Sequence, residues 1–275
     1  MKTGVVLNYD EILSINFQWC IKNNIPTCQL SIPPDLITIE TEKAIQEACC
    51  GTGMEITSLI GVWSGPSNEW NFMYGPLTLG IVPPAFRAVR VKELEKCAQF
   101  AKRLGVPAVC THIGFIPENP MDTLYGEVVA AIRHLTVFYK ELGLKLNLET
   151  GQETPVTLLR TIQDVGEDNL GVNFDPANLL RYGKANPLDA LDIIGTYVNS
   201  VHVKDGEYPT DGMYLGKERP LGLGRVNVRS FVEKLYNIGY NGALTIEREI
   251  SGPEQKQDIL VANRMLMAIL ESLDG

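Results

Sequence analysis

The sequence predicts an α/β protein, a single (β/α)8 TIM barrel occupying residues 1–275, and three observations lead there. Short runs rich in Val, Ile and Leu alternate with longer stretches of helical period, which is the pattern of βα units around a parallel sheet. Eight such runs can be counted, and the 275-residue length lies near the roughly 250 residues typical of this barrel. No internal repeat and no Pro/Gly/Ser linker divides the chain, so one domain is expected.

Taken in order, the strand candidates are residues 4–7, 27–32, 55–61, 108–113, 144–149, 170–174, 198–203 and 242–247. Between them the helical stretches carry their own start and stop chemistry. Thr154 before Pro155 and Asn186 before Pro187 place a capping residue ahead of a proline at the first helical position. Asn227 is expected to cap the helix running to Ile238 in the same way. Gly105, Gly143, Gly166 and Gly239 each follow an amphipathic stretch, where a left-handed residue would end the helix. Two connections, residues 62–87 and 205–226, are too long for simple turns, and both follow the carboxyl end of a strand. Barrels build their active sites on that face, so these segments are expected to cover a site.

Composition narrows the function. With 24 Lys and Arg against 33 Asp and Glu, the formal charge is −9; nucleic-acid binding, which needs a surplus of positive charge, is disfavoured. No run approaches the ~18 apolar residues of a membrane span. The amino-terminal apolar run is too short for a secretory leader, and the six cysteines contain no C-x-x-C, so reduced thiols and a cytoplasmic location are expected. The vicinal pair Cys49 and Cys50 reads as small hydrophobes buried on a helix.

Chemistry concentrates where four strand candidates end, at Glu149, Asp175, His202 and Glu247. An isolated carboxylate at such a tip would cost several kcal/mol to desolvate, so three of them with an imidazole call for a cation or a network. Their separations of 26, 27 and 45 residues correspond to about one βα unit each, the last lengthened by a glycine-rich loop, and successive strands converge on one mouth. Three carboxylates and one imidazole without a thiolate suit a divalent ion: Mn2+ is favoured, with Mg2+, Co2+ or Zn2+ as alternatives.

The motifs Leu-Glu149-Thr-Gly-Gln, Asn-Phe-Asp175-Pro-Ala-Asn178, His202-Val-Lys204-Asp205-Gly, Pro-Leu-Gly222-Leu-Gly224 and Gly239-Tyr-Asn-Gly242-Ala-Leu-Thr-Ile-Glu247, preceded by Thr-His112-Ile-Gly114, follow one another in the chain. In them the sequence resembles the xylose isomerase-like barrel superfamily, in the branch of sugar isomerases and epimerases that includes D-tagatose 3-epimerase and inosose isomerase. The resemblance implies that Glu149 and Glu247 both bind the metal and exchange a proton with the sugar, while Asp175 and His202 complete the shell. A metal that polarises a carbonyl and a carboxylate that removes the neighbouring C–H proton through an enediolate are consistent with those residue types. The implied substrate is a small ketose or keto-sugar, and a homodimer or homotetramer is the assembly common in this branch.

Two departures from the family pattern concern the substrate. Asn178 stands where ketose epimerases usually carry a histidine, and Tyr208 where they carry an arginine. Glu153 is either a replacement acidic contact or an acid leading a helix. His112 is expected to reach the mouth and touch substrate or a water. Lys204 and Asp205 offer either a substrate contact or a rim salt bridge. Trp63 and Trp70 offer an apolar wall over a sugar face, or a core or oligomer contact. Lys217, Arg219 and Arg225 read as a solvated segment. The same constellation would serve a lyase acting on an inosose or 3-keto-glycoside, because elimination begins with the same proton abstraction. A barrel that only binds sugar is a third reading; an endonuclease IV-type nuclease would need more histidines than His112, His134 and His202.

Overall fold

The computed structural model describes residues 1–10, 13–65 and 68–274. Its strands and helices run β1 (Lys2–Asn8), α1 (Leu13–Lys22), β2 (Thr27–Ile32), α2 (Ile39–Thr52), β3 (Glu55–Gly61), α3 (Gly75–Thr78), α4 (Pro84–Leu104), β4 (Ala108–Thr111), α5 (Thr123–Glu141), β5 (Lys145–Glu149), α6 (Pro155–Val165) and β6 (Leu170–Phe174). The order continues α7 (Pro176–Arg181), α8 (Pro187–Ile194), β7 (Val198–Val203), β8 (Asp205–Gly206), β9 (Glu218–Arg219), α9 (Val228–Asn237), β10 (Ala243–Ile246) and α10 (Pro253–Asp274). Eight parallel strands, β1 to β7 and β10, close into a barrel through the β1–β10 pairing, with helices between them. The expected single-domain (β/α)8 barrel is what forms.

Each strand run proves to be a strand: residues 27–32, 55–61, 170–174 and 198–203 match at both ends, and the other four differ at one or both ends by a residue or two. Thr154 accepts a hydrogen bond from the Thr157 N–H and Asn186 one from Leu188, as capping residues should. Gly105 and Gly166 end their helices in the left-handed region with φ near +72°. Asn227 differs: it precedes α9, but in left-handed conformation with φ +57° and with no capping hydrogen bond from its side chain. On α2, Cys49 is half-buried and Cys50 exposed, so the expectation of a buried pair is corrected.

Inside the barrel the β-branched and leucine layers are interrupted by polar groups. Gln29, Ser58, Asn147, Asn173 and Thr245 are all buried on strands. Two ladders slip by one residue: between β2 and β3 at Cys28/Gln29, and between β6 and β7 at Val172/Asn173, where Asn199 is passed over. A one-residue slip exchanges inward and outward faces, so these irregularities set the phase of the β3 residues from Ser58 onward, Thr57 being passed over, and of the β7 residues beyond Asn199.

The two long connections are fastened to the scaffold. Arg90 on α4 is completely buried; its guanidinium donates to the Thr78 and Gly80 carbonyls at 2.6 Å each and lies 5.3 Å from the Trp63 ring and 4.9 Å from that of Phe86. Burial pulls this guanidinium down to about 10. The Ile81 and Val82 N–H groups both donate to the Ile113 carbonyl beyond β4. Gly80, with φ +68°, allows that approach, because a Cβ there would stand 1.8 Å from the Ile113 oxygen. The segment from 205 to 226 folds back as the β8–β9 ribbon and closes on Asp205. The Asp205 carboxylate accepts four backbone N–H bonds, from Gly206 and Val226 at Oδ1 and from Gly222 and Gly224 at Oδ2, between 2.8 and 3.0 Å. Asp205 is therefore the anchor of its loop, and the glycines of Gly222-Leu-Gly224 are where the backbone wraps it. A hydrogen bond from Phe72 N–H to the Met213 carbonyl joins the two connections over the barrel.

Candidate metal centre

Four barrel strands deliver one cluster to the carboxyl-terminal mouth. Glu149 is the last residue of β5, Asp175 follows β6 and caps α7, His202 is the fifth residue of β7, and Glu247 follows β10. One ligand atom from each lies within 4.8 Å of the others. The His202 Nδ1 stands 3.1 Å from Glu149 Oε1 and 3.4 Å from Glu247 Oε2. Glu149, Asp175 and His202 are buried; Glu247 retains 17% of its side-chain surface toward the opening.

The three carboxylates of the cluster differ in their electrostatics. Burial pushes the Glu149 carboxyl up, but the His112 and His202 imidazoles outweigh it and hold the group at about 2. Burial also raises Glu247, and Lys204 with His202 overturns that and holds it well below the usual carboxylate range. Asp175 goes the other way: burial raises it to about 7, against the pull of Lys204 and with the neighbouring Glu247 and Glu149 adding to the rise. Its Oδ1 accepts the Asn178 N–H, while Oδ2 has no hydrogen-bond partner and only the Lys204 ammonium 3.6 Å away. A buried carboxylate oxygen without a partner, facing two further carboxylates and an imidazole nitrogen, is the surrounding a divalent cation satisfies. The donor set of three oxygens and one nitrogen thus fits such an ion.

Around the cluster, Lys204 is fully buried and binds Glu247 Oε2 at 2.9 Å and Glu249 Oε1, so its alternative of a rim salt bridge gives way to an interior one. His112 comes to the mouth, its Nε2 3.3 Å from Glu149 Oε1 and its ring 5.1 Å from that of Trp70, edge-on. Asn178 donates from Nδ2 to Glu149 Oε1 at 3.2 Å. Trp63 is buried, with its Nε1 bonded to Asn68 Oδ1 at 2.9 Å, and it lines the mouth together with Trp70, Asn8, Ser31 and Asn68. Trp70 is 45% exposed and forms the free edge of that wall. Glu153 is buried beside the cluster; burial pushes its carboxyl up to about 7 and its Oε1 has no partner. His134 lies away from the mouth on α5, paired with Glu95 at 2.6 Å.

Sequence reasoning did not single out Gln29, Arg181 or Glu249. Glu249 stands two residues past the candidate ligand Glu247 and salt-bridges Arg181 at 2.7 Å, and Arg181 lies one helical turn after Asn178, so spacing from the candidate positions could have found both. Gln29 carried only one signal, an amide within a strand otherwise able to bury every side chain.

The xylose isomerase-like TIM barrel description matches residues 25–267. A xylose isomerase domain protein from Planctomyces limnophilus is 35% identical, with a TM-score of 0.91 over 98% of this chain and 97% of that one. A D-tagatose 3-epimerase-like protein shares the fold at 20% identity, TM-score 0.74, over 99% and 100% of the two chains. The fold is shared likewise by a xylose isomerase-like TIM barrel protein from Mycobacterium smegmatis in complex with magnesium, at 18% identity and TM-score 0.69 over 95% and 89%. An uncharacterized protein of Methanocaldococcus jannaschii is 26% identical over 174 residues, 59% of this chain; the match spans 58% of that relative's length. With the family's barrel and its run of motifs both in place, the chain belongs to the xylose isomerase-like TIM barrel family.

Proposed function

We propose that this protein is a divalent-metal-dependent sugar isomerase or epimerase that moves a proton at the carbon next to a carbonyl of an uncharged ketose or keto-sugar. The observation that carries this reading is the placement of two carboxylates, Glu149 and Glu247, within 3.4 Å of one imidazole nitrogen at the floor of an open mouth. Glu149, Asp175, His202 and Glu247 would hold the ion, with Mn2+ favoured and Mg2+ supported by the magnesium complex of the mycobacterial relative. When bound, a divalent cation acidifies the C–H next to a carbonyl by drawing charge onto the carbonyl oxygen.

The protein's own groups do the rest. Glu149 and Glu247 are the candidate proton carriers, and their surroundings differ: two imidazoles and the Asn178 amide hold the first, the Lys204 ammonium the second. Inversion at one carbon uses the two carboxylates as acid and base in turn; return of the proton to the neighbouring atom by one of them gives aldose–ketose isomerisation. His112, Asn178, Glu153, Trp63 and Trp70 are the proposed sugar contacts, with the indoles supplying an apolar face and the others hydrogen bonds. The uncharged substrate follows from the cations at the mouth, which are already committed. Lys204 faces Asp175, Glu247 and Glu249, and Arg181 is tied to Glu249 and the Gly216 carbonyl. A phosphate or carboxylate entering there would meet Glu249.

Incubating the Mn2+-loaded protein in D2O with free ketoses, ketose phosphates, inososes and 3-keto-glycosides tests this reading by NMR. Deuterium is expected to enter an uncharged member of the panel, and Glu149→Gln or Glu247→Gln should slow that exchange by about 10² to 10⁴. Exchange undiminished in both variants contradicts the assignment of the proton carriers, and an elimination product identifies a lyase instead.

A further inference from the structure

Beneath the cluster lies a buried group that touches no ligand oxygen and yet bears on the imidazole. Gln29, on β2 across the barrel from β7, is fully buried, and its Oε1 stands 3.0 Å from His202 Nε2. The same oxygen accepts the Cys110 thiol at 3.2 Å, while Gln29 Nε2 donates to Asn173 Oδ1 at 3.1 Å. These contacts orient the amide: its nitrogen is used on Asn173, so its oxygen faces His202. An imidazole nitrogen opposite a carbonyl-type oxygen has to carry the proton. Nε2–H on Gln29 leaves Nδ1 as the nitrogen whose lone pair is available, and Nδ1 is the atom placed against Glu149 and Glu247. The ladder slip between β6 and β7, which passes over Asn199, sets the face on which His202 is presented to this contact.

We propose that Gln29 is a positioning residue for the cation: it holds His202 with Nε2 protonated and so presents the Nδ1 lone pair to the metal. The inference rests on the reading of Glu149, Asp175, His202 and Glu247 as the ion's ligands. Without the amide, Nε2–H has no acceptor and the proton gains by moving to Nδ1, where either carboxylate accepts it. The lone pair is then turned away from the cation. Partners of this kind on ligating histidines are worth about 10- to 100-fold in metal affinity.

Isothermal titration of the metal-free protein with MnCl2, in the absence of any sugar, measures this directly. Gln29→Met, which keeps the length of the side chain and removes the strong acceptor, should weaken Mn2+ binding by about 10- to 100-fold. Gln29→Glu restores an acceptor, and Asn173 Nδ2, which has no partner, becomes available to it by rotation of that amide; its affinity should return toward wild type. With only three histidines in the chain, 15N-histidine NMR of the Zn2+-loaded wild type should show one imidazole metallated at Nδ1 and protonated at Nε2. Equal Mn2+ affinity in wild type and Gln29→Met, or a His202 metallated at Nε2, overturns the proposal while leaving the ligand set intact. A wild type that binds no divalent ion overturns the ligand reading itself. Should Gln29→Met fold poorly, the NMR signature and the Gln29→Glu affinity decide the matter.

Discussion

The two halves of the barrel contribute in opposite ways to the same mouth. From β5 onward, every barrel strand (β5, β6, β7 and β10) supplies one ligand-type side chain at or near its carboxyl end: Glu149, Asp175, His202 and Glu247. Strands β1 to β4 supply none of these and instead provide a floor amide, Gln29, and walls from Trp63, Trp70 and His112. Ligands are chemically demanding and tolerate few residue types, whereas a wall needs only shape, an apolar face and a firm attachment. The first half invests in attachment. Arg90 gathers the carbonyls of the segment between β3 and α4, and Gly80 lets that segment press on the exit of β4.

That division is exposed to test. Gly80→Ala should strike the first half alone. Its Cβ would stand 1.8 Å from the Ile113 oxygen at φ +68°, and a loss of about 3 kcal/mol or more in urea unfolding is expected. Mn2+ affinity should stay unchanged; a parallel loss of metal would show that the halves are coupled.

Glu153→Gln addresses the second half through pH. The unfolded chain releases this proton near pH 4.5, the folded one only near pH 7, because burial holds the carboxyl neutral. Between those values the folded state binds the extra proton, so wild-type stability falls as pH rises through that window. Removing the titration should make the variant more stable than wild type above pH 7 by up to about 3 kcal/mol and little different below pH 4.5. Unfolding curves at pH 4, 6 and 8 check it, and a constant difference across the three would refute it.

The smallest of these effects concerns the free edge of the wall. Trp70→Ala should raise KM for the sugar by about tenfold, equivalent to ~1.4 kcal/mol, with Mn2+ affinity unaltered. An unchanged KM would take Trp70 out of the substrate wall.

Legibility in the sequence follows the same line between the halves. The eight strand runs, the caps at Thr154 and Asn186 and the four residues that cluster as candidate ligands were readable because each depends on local chemistry: a buried apolar run, a hydroxyl or amide before proline, an acid or imidazole at a strand tip. Asn227 shows the limit, since an asparagine before a helix suits both a cap and a left-handed turn, and the surrounding loop selected the second. Asp205 was ambiguous because its four N–H donors lie up to 21 residues further along a glycine-rich segment. Gln29 was out of reach, its partner His202 being 173 positions away and on the opposite side of a closed barrel.

The central claim is that the second half builds a divalent-cation site whose carboxylates act on a sugar, and metal content tests it most directly. Protein purified after growth with added Mn2+ and dialysed against metal-free buffer should retain close to one divalent ion per chain by elemental analysis, and Asp175→Asn should retain almost none. An unmetallated wild type, or an Asp175→Asn variant that holds its ion as tightly as wild type, would contradict the account.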